Sequence, residues 1–200
     1  FNINSKKIAW VRNWERKWLP HLKKFDYVFC CTNKAKNFFN NNGIRSYVLP
    51  IGANFENLDF NKNKINDIFV DCNLFNRRKI VDIILRLKKE TKFKIKISGK
   101  NWKIYLSKEE FELIKDNYYE FIQPEDIKEE YLSSKIIIDD CNINTIEFGS
   151  VNKRVIDCIS CKRLVLTNNL IGSKELFENS LVTFKSYDEF KKIINNYLKN

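Results

Sequence analysis

Apolar positions along the chain fall into two spacings that alternate. Short runs with adjacent or every-second apolar residues predict strands over residues 7–12, 26–32, 46–49, 68–72, 94–98, 119–122, 136–140 and 164–167. Between them, apolar residues three and four apart predict helices over 33–44, 78–91, 108–117, 125–133, 151–161 and 187–198. Gly43 closes the first helix, and Pro20 breaks residues 13–25 into a loop or short helix. Strands and helices alternating at these lengths predict an α/β fold, a Rossmann-like parallel sheet with helices on both faces. Ligands of such sheets bind at the C-terminal strand ends, here residues 72–79, 99–102, 123–124, 139–150 and 168–173.

One stretch joins pattern to chemistry. Residues 136–177 read strand, loop, helix, strand, loop, helix, with Gly149 and Ser150 just before the helix 151–161. Val151, Val155, Cys158 and Ile159 form its buried stripe, and Arg154, Asp157 and Cys161 share the adjoining edge. A helix start behind a Gly-Ser turn suits an anion, because its first N–H groups and the macrodipole both favour negative charge. A phosphate is the expected ligand. Asp139 and Asp140 read as a strand-end carboxylate pair held by a salt bridge, not as a metal-binding pair.

Composition narrows the field. With 44% hydrophobic and 14% aromatic residues the chain can fill a core, so it is globular. Its net charge of +11 suits phosphorylated ligands and a peripheral contact with an anionic membrane. The charge is nevertheless spread along the chain without alternating aromatics and arginines, so nucleic acid is not an expected partner, and a basic nucleic-acid-binding domain is the weakest rival. No apolar run approaches a membrane span. The absence of Met and the opening FNINSKK lead to the expectation that the chain is a fragment of a longer protein. All six cysteines lie in or beside apolar segments, the habit of packed thiols in a reducing, cytoplasmic setting. Cys158 and Cys161 stand at a helix end, and zinc would need a second ligand pair, so neither metal nor redox chemistry is expected. His21, the single histidine, reads as a surface or packing residue.

The run VNKRVIDCISCKRLVLTNNLIGSKELF resembles the signature of group 1 glycosyltransferases of the GT-B architecture, most closely their CgeB-like branch. In that family a Gly-x-x-Asn-x-Arg-x-x-Glu-like run opens a helix beside the donor sugar nucleotide. Gly149, Asn152, Arg154 and Asp157 occupy those places; Asp157 is shorter than the usual Glu, and Lys162 stands where Gly is usual. The superfamily's earlier acidic residue falls on Gly149 and is absent. Lys79, beside Arg78, matches the lysine that contacts the donor diphosphate in related enzymes. FDYVF, GI and LPIGAN resemble the last strand-helix-strand of the family's N-terminal domain.

The resemblance implies a GT-B C-terminal domain with a remnant of the N-terminal one. Residues 1–55 would be the tail of the acceptor-side domain and the interdomain crossing, 56–66 a linker, 67–185 the nucleotide-sugar-binding domain and 186–200 a C-terminal helix. It implies a hexosyltransferase-type enzyme moving sugar from a nucleotide-sugar donor to a glycan, lipid-linked or protein acceptor without metal or other cofactor. Arg154, Arg78, Lys79 and the amides near Ser150 would hold phosphate, Asp157 the ribose hydroxyls, and Ile122 to Pro124 the base. The missing N-terminal domain would complete the catalytic region, leaving this piece inactive alone. A non-catalytic nucleotide- or glycan-binding relative is the rival reading.

Overall fold

The computed structural model describes residues 5–53 and 55–199. Contacts divide it into two compact units, each made of three pieces of chain. One takes residues up to 53, 141–156 and 169–181; the other takes 54–140, 157–168 and those from 182 on.

In the first unit three short parallel strands, β1 (Ile8–Val11), β2 (Tyr27–Cys30) and β3 (Ser46–Val48), pair in the order β1-β2-β3. Helix α1 (Glu15–Trp18) runs into a 3-10 turn, Leu19–Lys24, whose start accommodates Pro20 because the N–H it lacks would have no partner there. Helix α2 (Asn33–Asn41) is capped by Thr32, whose hydroxyl accepts from the Ala35 N–H at 3.1 Å and donates to the Phe148 carbonyl at 2.7 Å. Val11, Leu22, Val28, Ala35, Phe39, Ile44 and Phe148 close the core. Helices α7 (Ile143–Phe148) and α9 (Leu170–Phe177) also belong here.

The second unit is built on one six-stranded parallel sheet. Its strands are β4 (Asn66–Asp71), β5 (Ile95–Ser98), β6 (Tyr118–Tyr119), β7 (Ser134–Asp139), β8 (Leu164–Thr167) and β9 (Val182–Thr183), in the order β6-β5-β4-β7-β8-β9. The order reverses between β4 and β7, the doubly wound pattern that opens a crevice at that point. Period-two alternation sets the faces. Ile68, Val70, Ile95, Ile97, Ile136 and Ile138 pack under helices α3 (Lys79–Glu90) and α10 (Tyr187–Lys199), through Ile80, Ile84, Leu87, Phe190 and Ile194. Each such side chain, fully buried, is worth about 1.5–3 kcal/mol. Phe69 points the other way and meets Tyr131 of helix α6 (Ile127–Leu132), with ring centroids 6.0 Å apart.

Helices α4 (Trp102–Tyr105) and α5 (Lys108–Glu112) fill the β5–β6 connection. Helix α4 forms where the pattern suggested a loop, because Trp102 buries completely and its indole donates to the Cys72 carbonyl at 2.8 Å. The expected strand 119–122 shrinks to Tyr118–Tyr119, an edge strand beyond which Phe121 is exposed. Helix α8 (Lys153–Ser160) begins two residues later than expected, and the division between the units falls inside it. Val151, Val155 and Cys158 are buried, but Ile159 is exposed, because the buried face also takes in Asp157 and Cys161 on the other side of Cys158 and leaves Ile159 at its edge.

Candidate functional site

The residues singled out from the sequence form two groups, one in each unit. In the sheet unit the group lies at the C-terminal ends of β4 and β7, where the strand order reverses. Arg78 precedes α3 and is fixed there: its Nε lies 3.0 Å from Asp140 Oδ2, an ion pair without hydrogen-bond alignment. Its Nη1 donates to the Asp140 carbonyl at 3.3 Å and its Nη2 to the Asn73 carbonyl at 3.0 Å. Asp140 Oδ1 accepts from Asn168 at 2.8 Å, and buried Asp139 accepts from the Thr167 hydroxyl at 2.8 Å. The expected strand-end salt bridge therefore exists, with Arg78 as its cation.

Lys79, one residue on, goes elsewhere. It is exposed and lines an open hollow of about 310 Å³ with Asp82, Arg86, Lys185, Ser186 and Tyr187. Ile122 is half-buried in the loop after β6. Asp157 sits on α8 and is only 5% exposed, so the edge read as polar is deep at this position. A carboxyl at that depth must be satisfied by protein or ligand donors. Cys161, on the same edge, is fully buried, and burial pushes its thiol up.

In the first unit the group gathers between α7 and α8. Helix α7 ends at Gly149, whose φ of +69° is a left-handed cap that glycine adopts without strain. A Cβ at Gly149 would stand 2.7 Å from Ile171 Cγ2, and one at Gly172 would stand 2.6 Å from the Gly149 oxygen. Two glycines thus let the end of α7 touch the first turn of α9. Ser150 is buried; its carbonyl accepts from Asn169 Nδ2 at 2.7 Å, and Asn169 Oδ1 accepts from the Gly172 N–H at 2.9 Å, capping α9. Asn152 donates to Cys141 Sγ at 3.2 Å, joining the two ends of the loop. Arg154 stands half-buried in the first turn of α8. A rigid turn with a guanidinium in the following helical turn is chemically fit for a phosphate.

Two residues here escape a reading of the sequence. Asn169 lies in a strand-end loop, and its cap role is signalled only by the Gly172 three positions on. Glu15, within NWERKW, looks like an exposed charge, yet it is completely buried, with Oε1 accepting from the Ser150 hydroxyl at 2.8 Å. Burial pushes its carboxyl above the usual range; the Ser150 hydrogen bond acts against that shift and the Glu147 charge with it. Burial also raises the Cys30 thiol to about 11 and the Cys31 thiol to about 12, which keeps both protonated and unreactive at neutral pH. All six cysteines are buried, and exposed His21 stacks edge-on against Trp18. Among the described residues no cluster of three His, Cys, Asp or Glu side chains could hold a metal ion.

Residues 77–200 match the model of the family described as glycosyl transferase-like. The chain belongs to that family. The match covers α3, β7 and everything from Gly149 to the last helix. No curated protein matches the chain. Among solved structures, this glycosyl transferase-like chain is similar to a TarM mutant from S. aureus in complex with fondaparinux, alpha-GlcNAc-glycerol and UDP. The TM-score is 0.67 at 13% identity, over 99% of this chain and 45% of that one. It is also similar to HepE from Anabaena in complex with UDP and glucose, with a TM-score of 0.66 at 14% identity, over 96% of this chain and 62% of that one. A glycosylation associate protein complex from Streptococcus agalactiae gives 0.60 at 12% identity, over 100% of this chain and 45% of that one. The fold is that of the GT-B glycosyltransferases, and the chain spans between 45% and 62% of these neighbours' lengths.

Proposed function

We propose that this chain is the donor-binding part of a metal-independent glycosyltransferase that moves a hexose from a nucleoside diphosphate sugar to a glycan, lipid-linked or protein acceptor. The observation that carries the reading is Arg154 in the first turn of α8, behind the buried Gly149-Ser150 turn and inside the family match. Arg154 and the amides after Ser150 take the diphosphate, with Asn152 shaping the turn. Arg78 and Lys79 add positive charge at the start of α3, Asp157 accepts from ribose, and the loop at Ile122 lines the base. Charge-assisted hydrogen bonds to the leaving diphosphate then do what a divalent cation does in other transferases. In this reading residues 67–185 form the nucleotide-sugar domain, followed by a C-terminal helix from 186 on, and residues 1–55 are the end of an acceptor-side domain joined through 56–66. Among the described residues no helix is long and apolar enough to cross a membrane. A cytoplasmic enzyme with a +11 chain resting on an anionic membrane surface fits that together with the buried thiols.

Calorimetric titration with UDP in the presence of EDTA tests the reading. Arg154→Ala should lose about tenfold or more in affinity, and more for UDP than for uridine; Asp157→Asn should also lose about tenfold with little change in melting temperature. An Arg154–Asp157 pair that serves the helix alone would instead leave both affinities at wild-type values and lower stability by only about 0.2–0.5 kcal/mol. Binding abolished by EDTA, or sugar transfer by this chain by itself, would count against the assignment.

Gly149 favours a second reading, a non-catalytic relative that binds nucleotide or glycan. The position where the superfamily carries an acid has a left-handed φ and Ile171 Cγ2 pressed against it, leaving no room for a carboxylate side chain. Donor hydrolysis by the full-length protein separates the two: turnover supports the enzyme, and nucleotide binding without turnover supports the relative.

A further inference from the structure

The sheet unit carries a second concentration of positive charge, at the end of the sheet opposite Arg78. Lys64 leads into β4, Lys135 stands near the start of β7, and Lys162 and Arg163 form the turn into β8, so all four gather where these neighbouring strands begin. With Tyr197 of α10 they line an open hollow of about 270 Å³. Lysines along one helix face make an ordinary solvated surface, but these cations come from three separate segments and converge on one concavity.

Their charge is largely uncompensated. Among the described residues only Lys135 has a carboxylate within ion-pair distance, Asp67 at 2.7 Å, which leaves three positive charges over. Arg163 is 9% exposed, and its guanidinium donates to the Leu132 carbonyl through Nε at 3.2 Å and Nη2 at 2.8 Å and to the Lys162 carbonyl through Nη1 at 3.4 Å. Carbonyl oxygens fix its orientation but do not cancel its charge, and a charge taken out of water without an opposite one is costly. The ammonium of Lys162 lies 4.3 Å from the centre of the Phe60 ring, a contact that holds it in place without neutralising it. Lys162 reaches that position from a left-handed backbone, φ 52°, the kind of strained conformation that collects at ligand sites.

We propose that this hollow binds a phosphate monoester, held by Lys64, Lys162 and the exposed Tyr197 hydroxyl, with Arg163 and Lys135 supplying charge from its wall. A carboxylate would offset one charge; a phosphate monoester brings nearly two, with three acceptor oxygens for ammonium and phenol donors that can turn toward it. The site goes beyond the donor reading, because Arg78 and Lys79 stand at the other ends of the strands. Two sources carry this group, a soluble phosphate ester and the headgroup of an anionic lipid, and the experiment separates them.

Glycerol 3-phosphate and inorganic phosphate are titrated into the chain by calorimetry at about 0.15 M salt, where charges more than about 8 Å apart are screened, with acetate as the control anion. Saturable binding of both phosphates is expected, weakened about tenfold in the double variant Lys64→Gln, Lys162→Gln, whose positions are both exposed. Lys162→Gly, which relaxes the turn, should weaken binding as Lys162→Gln does, so that a distorted backbone is not the cause. Lys108→Gln, which removes an exposed charge of α5 outside the hollow, should change nothing. Acetate binding as well as phosphate, a loss in Lys108→Gln equal to that in Lys162→Gln, or phosphate binding that survives the double variant and is lost in Arg154→Ala would overturn the proposal. Sedimentation with phosphatidylcholine vesicles containing phosphatidic acid then names the source. Capture of the wild type that falls about tenfold in the double variant assigns the site to a lipid headgroup; soluble binding with no capture, or with capture equal in both, assigns it to a soluble ester. Vesicle capture without any soluble binding would show diffuse surface charge and sink the site.

Discussion

The six-stranded unit and the three-stranded unit differ in how they are held together. In the first, one parallel sheet alternates apolar residues between two faces, and most of the large buried side chains lie on it. In the second, short pieces from distant parts of the chain share a smaller core and are joined by individual contacts: a Thr32 hydroxyl on Phe148, a Ser150 hydroxyl on Glu15, two glycines face to face. The lesson is that rigidity and chemistry are separated here. Stability should reside in the sheet, and ligand binding should respond to small changes in the assembled segments.

Matched glycine substitutions should break the comparison most strongly. Gly99 has φ +131° and an added Cβ would fall 2.0 Å from the Cys72 carbonyl oxygen, so main chain must move. Gly99→Ala should cost more than about 3 kcal/mol in urea unfolding. At Gly149 the obstacle is the end of the Ile171 side chain, which can turn aside; Gly149→Ala should cost about 1–2 kcal/mol and show chiefly as weakened UDP binding. Equal losses of stability at both sites would erase the distinction.

Next in size comes a pair of ion pairs. Arg78 and Asp140 have side chains 16% and 6% exposed, so Arg78→Ala leaves a buried carboxylate behind and should cost about 3 kcal/mol. The Arg16–Glu147 pair in the other unit is 66% and 34% exposed, and Arg16→Ala should leave the melting temperature within measurement error. A double-mutant cycle on each pair measures the contrast directly.

Lys162 sharpens the picture at a smaller scale. It takes a left-handed conformation, φ 52°, in the turn between α8 and β8, which a glycine adopts without strain. Lys162→Gly should relieve strain, partly offset by losing the contact of its ammonium with the Phe60 ring at 4.3 Å. A net gain of up to about 1 kcal/mol is expected; a clear loss of stability would mean that the ring contact dominates.

The smallest effect is pH-dependent. Lys191, Arg86 and Tyr187 hold the Glu90 carboxyl down at about 2. A depressed folded-state value adds stability that is complete above the unfolded value of about 4.3 and disappears as pH falls toward 2. The melting-temperature difference between wild type and Glu90→Gln should therefore shrink from pH 6 to pH 2. A constant difference across that window would show that the pair works through packing.

Legibility followed the same division. β8 forms over the residues its apolar run marks, Leu164–Thr167, because four consecutive apolar or β-branched residues admit little else. Helix α7 was invisible: six residues give too short a period, its first residue Ile143 is exposed, and its cap, Asn142 accepting from the Thr145 N–H at 3.0 Å, looks like one more loop asparagine. Gly149 and Ser150 stood out as a turn, but what the turn touches comes from residues 15, 169 and 171, and no local pattern can point that far. Ile159 shows the cost of reading a helix face from apolar residues alone: α8 buries the carboxyl-bearing Asp157 beside Cys158 and Cys161, and the apolar Ile159 is left at the edge.

The chain passes between its two units at 53–54, 140–141, 156–157, 168–169 and 181–182. No single cut can therefore release either as an intact piece. A protease nick in the Asn- and Lys-rich stretch near residues 57–64 should leave two fragments that stay together under native conditions and separate only in denaturant. The same interlacing means that a hybrid chain made by exchanging everything before that stretch would carry segments 141–156 and 169–181 from one parent against a first segment from the other. Such exchanges should succeed only when those two short segments travel with it.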